Sequence, residues 1–293
     1  MIVASDIHLQ LTPPRCRQEN EEEWIAHQLN RLKTIVAIAN EANEDLYIAG
    51  DIFDKAYSHP VLVTLFLTAI GELDGACYIM AGNHDLPNHA HEEMRRSSYG
   101  VLSSLFGHPD SKVKSIGSSP YLMIPYGEDP DEYANGSSPI VFLHQYVVVR
   151  EEDIPPGAEG VCAEVLLKSF PSRKVFICGD NHHGFCKTTI KGRSVVNCGC
   201  VTKRTIDFQD EELAVWRINE STFEVTRIAL ADDSVLVRDS YAEAKKESEE
   251  KFQELIALLD KSGKIELDYV MNLKNKIHVL SADARKELED ILE

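Results

Sequence analysis

The sequence of 293 residues predicts a layered α/β fold followed by a C-terminal helical appendage. Three observations lead there. Short apolar runs alternate with helix-length stretches through the first two-thirds of the chain. The pattern turns to β from Ser194 to Ala229. Helical periodicity then takes over near Asp239.

Taken in order, the apolar runs Ile2–Ser5, Leu46–Ala49, Cys77–Ala81, Tyr121–Ile124, Ile140–Leu143 and Val175–Cys178 read as strands. Between the first three, Trp24–Ala42 and Val61–Leu73 carry the spacing of helices. Leu213–Ile218 and Phe223–Ala229 flank a polar Asn219-Glu220 turn and read as paired strands. Tyr241–Asp260 repeats apolar residues at Phe252, Leu255, Ile256 and Leu259, one face of a helix. Ser281 suits the N-cap of a last helix carrying Leu288, Ile291 and Leu292. The expected organisation is an α/β body over 1–235 and a helical segment over 236–293, with no internal repeat.

Hydrophobic residues make up 43% and charged residues 27%, the balance of a globular protein with a sizeable core. No run approaches the roughly 20 apolar residues of a membrane span, and MIVASDIHLQ has no basic n-region. A cytoplasmic location with no membrane partner is the expectation. Seven cysteines without small-scaffold spacing read as reduced thiols. The net charge of −18 argues against broad attraction to nucleic acid, although a site for two divalent cations is itself acidic. Runs such as Glu21 to Glu23 and Glu151 to Asp153 read as solvated charge.

Five segments place metal-ligand residue types directly after strand-like runs. They are Asp6-Ile7-His8, Gly50-Asp51-Ile52-Phe53-Asp54, Gly82-Asn83-His84-Asp85, Leu143-His144 and Gly179-Asp180-Asn181-His182-His183. One Asp-x-His alone is more often a turn or a cap, and one Asn-His-Asp is usually turn chemistry. Five in order, each closing a strand, gather at one sheet edge, where open α/β folds keep their sites. Carboxylate, imidazole and amide oxygen together suit borderline-to-hard divalent ions and need no thiolate.

This series resembles the calcineurin-like metallophosphoesterase superfamily over residues 1 to about 185. The resemblance implies a layered metallophosphoesterase sandwich, with mixed β-sheets flanked by helices. It also implies a hydrolase using two divalent ions, manganese first, with zinc, iron or magnesium left open. By position, Asp6, His8 and His182 would bind one metal. Asp51 would bridge, and Asn83, His144 and Asp180 would bind the other. His84 resembles the family's outer-sphere general acid, with Asp85 orienting it, while Asp54 fits a turn or supporting residue.

Within the superfamily, Pro13-Pro14-Arg15-Cys16-Arg17, Gly82-Asn83-His84-Asp85-Leu86, Phe142-Leu143-His144-Gln145 and the looser Asn197-Cys198-Gly199-Cys200…Arg204 resemble DNA nuclease subunits of SbcD type, bacteriophage versions included. That implies DNA as substrate, exonuclease or endonuclease activity in repair, recombination or replication, and an SbcC-type ATPase partner. The tail at 240–293 is the natural docking candidate, and the family tends to form homodimers. Against the family's capping domain, 205–230 with its short tail looks abbreviated. A phosphatase or small-molecule phosphodiesterase on the same fold is the main rival, and a non-catalytic regulatory subunit a lesser one.

The family's Gly-His-x-His is here Gly179-Asp180-Asn181-His182. Two readings stay open: Asp180 ligates in place of histidine, or His183 does so in a shifted register. Carboxylates are competent ligands for hard ions, which favours Asp180. Cys178, Cys186, Cys198 and Cys200 lack paired C-x-x-C spacing and read as small apolar residues. His89, His91 and His108 read as surface residues. Arg15, Arg17, Arg95, Arg96, Lys203 and Arg204, taken singly, read as solvated charge.

Overall fold

The structure, a computed structural model, describes residues 1–105, 113–114 (backbone only), 119–133, 136–155, 158–189, 191–231 and 233. The unit holding them ends at Val237. The helical appendage expected over 236–293 and the apolar stripe from Phe252 to Leu259 lie outside the described residues, as does His108.

Two mixed sheets face each other. In the first, β1 (Ile2–Ala4), β2 (Leu46–Ile48), β3 (Cys77–Ile79) and β4 (Val113–Lys114) run parallel. The second is built on β5 (Leu122–Ile124), β6 (Ile140–His144), β9 (Val175–Gly179) and β11 (Ser194–Asn197), also parallel. An antiparallel β10 (Phe185–Thr188) edges this second sheet. A short parallel pair, β7 (Val147–Val148) and β8 (Val161–Cys162), lies apart. The hairpin of β12 (Ala214–Ile218) and β13 (Val225–Ala229) joins the first sheet antiparallel beside β1. Thus 205–230, expected to be an abbreviated cap, instead supplies the hairpin that extends the first sheet beyond β1, with β13 at its edge. Strand β12 lies between β13 and β1 and is covered on both faces: Val215 packs in the helix-covered core and Trp216 and Ile218 in the core between the sheets, while Arg217 is exposed.

The layers are legible in which residues pack together. Val3, Tyr47, Phe142, Ile177, Val196 and Trp216 form the core between the sheets. On the outer face of the first sheet, Ile2, Ile48 and Ile79 pack against Leu32, Ile35 and Val36 of α1 (Glu21–Ala42) and against Leu65, Phe66 and Ala69 of α2 (Pro60–Gly71). Val141, Phe176 and Val195 on the far face of the second sheet pack against Ala163, Leu166 and Leu167 of α3 (Ala163–Ser169). Such strands are covered on both faces, so they read as continuous apolar runs. The expected sandwich of mixed sheets flanked by helices is therefore the architecture found.

Helix α1 starts earlier than its apolar periodicity suggests. The Asn20 side chain accepts from the Glu23 amide at 3.0 Å, and the Glu23 carboxylate accepts from the Asn20 amide at 3.0 Å. This reciprocal cap draws Glu21 to Glu23 into the first turn, where the helix dipole favours negative charge.

Candidate metal centre

The loops leaving β1 and β2 extend side by side past the sheet. The His8 amide donates to the Asp51 carbonyl at 3.0 Å, Leu9 N to Ile52 O at 2.9 Å and Asp54 N to Leu9 O at 3.1 Å. Asp6, His8, Asp51 and Asp180 all adopt positive φ, at 52°, 50°, 52° and 84°. Each such position costs on the order of 1–3 kcal/mol and persists only where the surroundings fix it. The clustering of four where strand ends of the two sheets come together marks a site whose side chains are aimed. Space is equally constrained. A Cβ on Gly82 would stand 2.1 Å from Asp51 Oδ1, and one on Gly50, at φ 96°, 2.1 Å from His144 Nδ1. Both ligand-type side chains occupy the room that glycine leaves.

One carboxylate oxygen lies at the middle. Asp51 Oδ2 is 3.5 Å from His8 Nε2 and 3.4 Å from His144 Nε2. On the His8 side, His182 Nε2 stands 3.0 Å from His8 Nε2, and Asp6 Oδ1 lies 3.8 Å from His8 Nε2 and 3.9 Å from His182 Nε2. On the other side, Asn83 Oδ1 is 3.1 Å from His144 Nε2. Among the described residues three overlapping sets could each hold an ion: Asp6, His8 and His182; Asp6, Asp51 and His144; His8, Asp51 and His84. The orientation of His144 is fixed from behind. Its Nδ1 donates to the Ala49 carbonyl at 2.7 Å, which leaves Nε2 facing Asp51 and Asn83.

The electrostatics are those of crowded negative charge. Burial, together with Asp51, pushes Asp6 up to about 7. Burial alone would raise Asp51 too, but His144, His8 and His84 around it hold it below the ordinary carboxylate range. Burial would lower His144, yet the Asp51 carboxylate outweighs that and raises it to about 10. A proton on His144 meets this demand for positive charge; a divalent ion meets it equally. Burial keeps His8 well below its ordinary value and, with Arg204, lowers His182 to about 4. Both imidazoles are thus neutral, the form that binds metal. Two neutral imidazoles, an amide oxygen and clustered carboxylates fit divalent cations.

Asp180 and His183 part company here. The Asp180 amide donates to Asp6 Oδ1 at 3.1 Å, and Asp180 borders the same cleft as Asn83 and His144. His183 turns its Nδ1 to Glu211, its side chain about half exposed, with its ring against Phe208. The loop between them is tied down by Asn181, whose Nδ2 donates to Val147 O at 2.7 Å. Asn197 secures it from the next strand, with its Nδ2 donating to the carbonyls of Asn181 and, at 2.8 Å, His183.

Two expectations change. Asp85 does not orient the His84 ring: its buried carboxylate accepts from the amides of Ile52 at 3.2 Å, Phe53 at 3.0 Å and Gly82 at 3.0 Å. With its acceptor oxygens used on backbone, Asp85 clamps the Asp51 loop to the Gly82 turn. The His84 ring is held by the Asp54 carbonyl, 2.8 Å from Nδ1. Nor are Arg17, Lys203 and Arg204 solvated charges: Lys203 is buried, with its Nζ donating to Gln209 O at 2.6 Å. Arg17 is 2% exposed and bonds Asp233 Oδ1 at 2.6 Å and Lys203 O at 3.2 Å, because Asp233, Glu19 and the Trp24 face surround it. Arg204 pairs with Asp54, whose carboxylate lies 3.8 Å from His8 Nδ1. The second Asp of Gly-Asp-x-x-Asp and the Arg after Asn-Cys-Gly-Cys were the available signals for that pair. Arg15, Arg95 and Arg96 are exposed as expected. His89 is exposed, with its Nδ1 3.0 Å from the Asn83 carbonyl, and His91 meets the Tyr126 carbonyl. All seven cysteines are free. Among the described residues no helix is long and apolar enough to cross a membrane.

Among solved structures, the chain is similar to TT1561 of Thermus thermophilus, with 13% identity over 78% of this chain and 97% of that one and a TM-score of 0.44. It is similar to a dimetal phosphatase from Danio rerio at 12% identity, 78% and 98% coverage and a TM-score of 0.44. No curated protein matches it. Residues 1–169, more than half of the chain and the source of all the site residues up to His144, match the family model described as calcineurin-like phosphoesterase, and the protein belongs to that family.

Proposed function

We propose that this family member is a two-metal phosphodiesterase, and specifically a DNA exonuclease or endonuclease of SbcD type. The observation that carries the two-metal reading is the position of Asp51 Oδ2, at nearly equal distance from His8 Nε2 and His144 Nε2. Asp6, His8 and His182 would hold one ion and Asn83, His144 and Asp180 the other, with Asp51 shared. When bound, two such ions lower the pKa of a water and neutralise charge on phosphoryl oxygens. The chain's own part is positional. His144 is locked by Ala49 O, and Asp51 by the Asp85 clamp and by the His84 amide at 3.0 Å. His84 keeps its Nδ1 proton on Asp54 O, so Nε2, once it too is protonated, is the atom that would pass a proton to the departing oxygen. A positioned acid of this kind contributes roughly 10²–10⁴-fold.

Support for DNA as substrate is the motif resemblance, from the Pro13-Pro14-Arg15 loop to Arg204. From the same resemblance we propose manganese as the working metal, an SbcC-type ATPase as partner with 236–293 as docking segment, a homodimer and a cytoplasmic location. The net charge of −18 favours a second reading, a phosphatase or small-molecule phosphodiesterase. One assay separates them: linear DNA, bis(4-nitrophenyl) phosphate and 4-nitrophenyl phosphate across manganese, magnesium, zinc and iron, with and without the ATPase. Manganese-dependent DNA cleavage is expected. Turnover of the monoester alone sinks the nuclease reading.

A further inference from the structure

A cleft of about 600 Å³ opens on the His144 side of the centre, bordered at its inner end by Asn83, His144 and Asp180. Its size lies within the range of roughly 300–1,000 Å³ usual for small-molecule sites. Resting on the phosphodiesterase reading above, we propose that it is a nucleoside subsite. It takes the terminal nucleoside on one side of the scissile phosphate, and that nucleoside carries no further phosphate.

The chemistry of the walls argues this. Tyr126 and Tyr146, both partly buried, supply aromatic surface; the Tyr126 ring is centred 6.4 Å from the His144 ring. Aromatic side chains beside a phosphoryl centre stack bases irrespective of sequence. The exposed carboxylates of Glu128, Asp129 and Glu159 line the outer part, and among the described residues the lining includes no lysine or arginine. Acceptors of this kind suit sugar hydroxyls and base amino groups, whereas a second phosphate would meet like charge in a confined space. Arg204 is not in that lining: it pairs with Asp54, whose carboxylate lies 3.8 Å from His8 Nδ1, on the His8 side of the centre. A polyanionic strand is therefore disfavoured within the cleft and leaves the centre on its other side. The cleft ends the chain, which makes cleavage exonucleolytic.

Binding tests this without turnover. Thymidine monophosphates (5′ and 3′) and thymidine 3′,5′-bisphosphate are titrated calorimetrically into the full chain loaded with manganese. One monophosphate is expected to bind about tenfold tighter than the bisphosphate, the order expected of close like charges. The double variant Glu128→Gln/Glu159→Gln should close that gap. Tyr146→Ala should weaken the monophosphate about tenfold with manganese stoichiometry unchanged. Failure of both monophosphates to bind, equal or tighter binding of the bisphosphate, or a gap untouched in the double variant overturns the subsite. In the kinetic arm, a dinucleoside monophosphate should be cleaved about tenfold faster than the same compound bearing a terminal phosphate at one of its two ends. If no ester is cleaved at all, the phosphodiesterase reading falls, and the binding arm still decides the cleft.

Discussion

His84 and Asp54 are joined ring to backbone: His84 Nδ1 stands 2.8 Å from the Asp54 carbonyl, while the Asp54 carboxylate reaches Arg204. The loop that follows Asp51 therefore orients both the shared carboxylate and the candidate proton donor, and one peptide segment sets their spacing.

His84→Ala is expected to lower turnover by roughly 10²–10³-fold on a substrate with a poor leaving group, and much less on a nitrophenyl ester. Metal content should stay the same. Because His84 also lies within reach of an ion shared with His8 and Asp51, stoichiometry is the deciding readout. Loss of an ion on this substitution would make His84 a ligand and remove it as a proton donor.

Asp51→Asn should weaken both ions, since Oδ2 faces His8 and His144 alike. Manganese affinity should fall by more than the roughly 10–100-fold that loss of a supporting residue brings, with activity lost in parallel. Calorimetric titration of the variant checks this. A single weakened site beside an intact one would show that Asp51 does not bridge.

Much of this was legible in the sequence, and the reason is burial. Ile140–Leu143 and Val175–Cys178 show as apolar runs because both their faces are covered, and the ligand residues follow at their ends. Phe185–Thr188 gave no such signal, since an edge strand with alternating exposure needs few apolar residues. Two-residue strands such as Val147–Val148 are too short to show a period. The partner of His84 was hidden for another reason: a backbone carbonyl carries no side-chain signature, and the family resemblance put Asp85 in that role. Arg17 read as solvated because its partner, Asp233, is 216 residues away.

That Arg17–Asp233 pair makes stability depend on pH. Burial would raise Asp233, but hydrogen bonds from His27, the Lys203 amide and Arg17 hold it below its ordinary 3.8. A depressed carboxylate contributes stability that is present above pH 3.8 and is lost as pH falls through that value toward the folded one. Asp233→Asn should therefore cost about 3 kcal/mol at pH 7, as breaking a buried pair does. Urea midpoints of the two proteins should converge as pH drops below 3.8. A gap that is constant with pH would show that the Asp233 charge contributes nothing.

The departure at Gly179-Asp180-Asn181-His182 gives the most discriminating test. The His183 ring is engaged with Glu211 on the outside, whereas Asp180 borders the cleft beside Asn83 and His144, and burial raises its carboxyl. Asp180→Ala should cost the ion on the His144 side and most of the activity. His183→Ala should leave both, because it removes only the contacts to Glu211 and Phe208. Asp180→His should be partly tolerated, and with nitrogen in place of oxygen the preference should move from manganese toward zinc. Metal stoichiometry and activity of the three variants read this out directly. If His183→Ala loses the ion while Asp180→Ala keeps it, the ligand is His183, and the 180–183 loop must rearrange on metal binding to bring that ring inward.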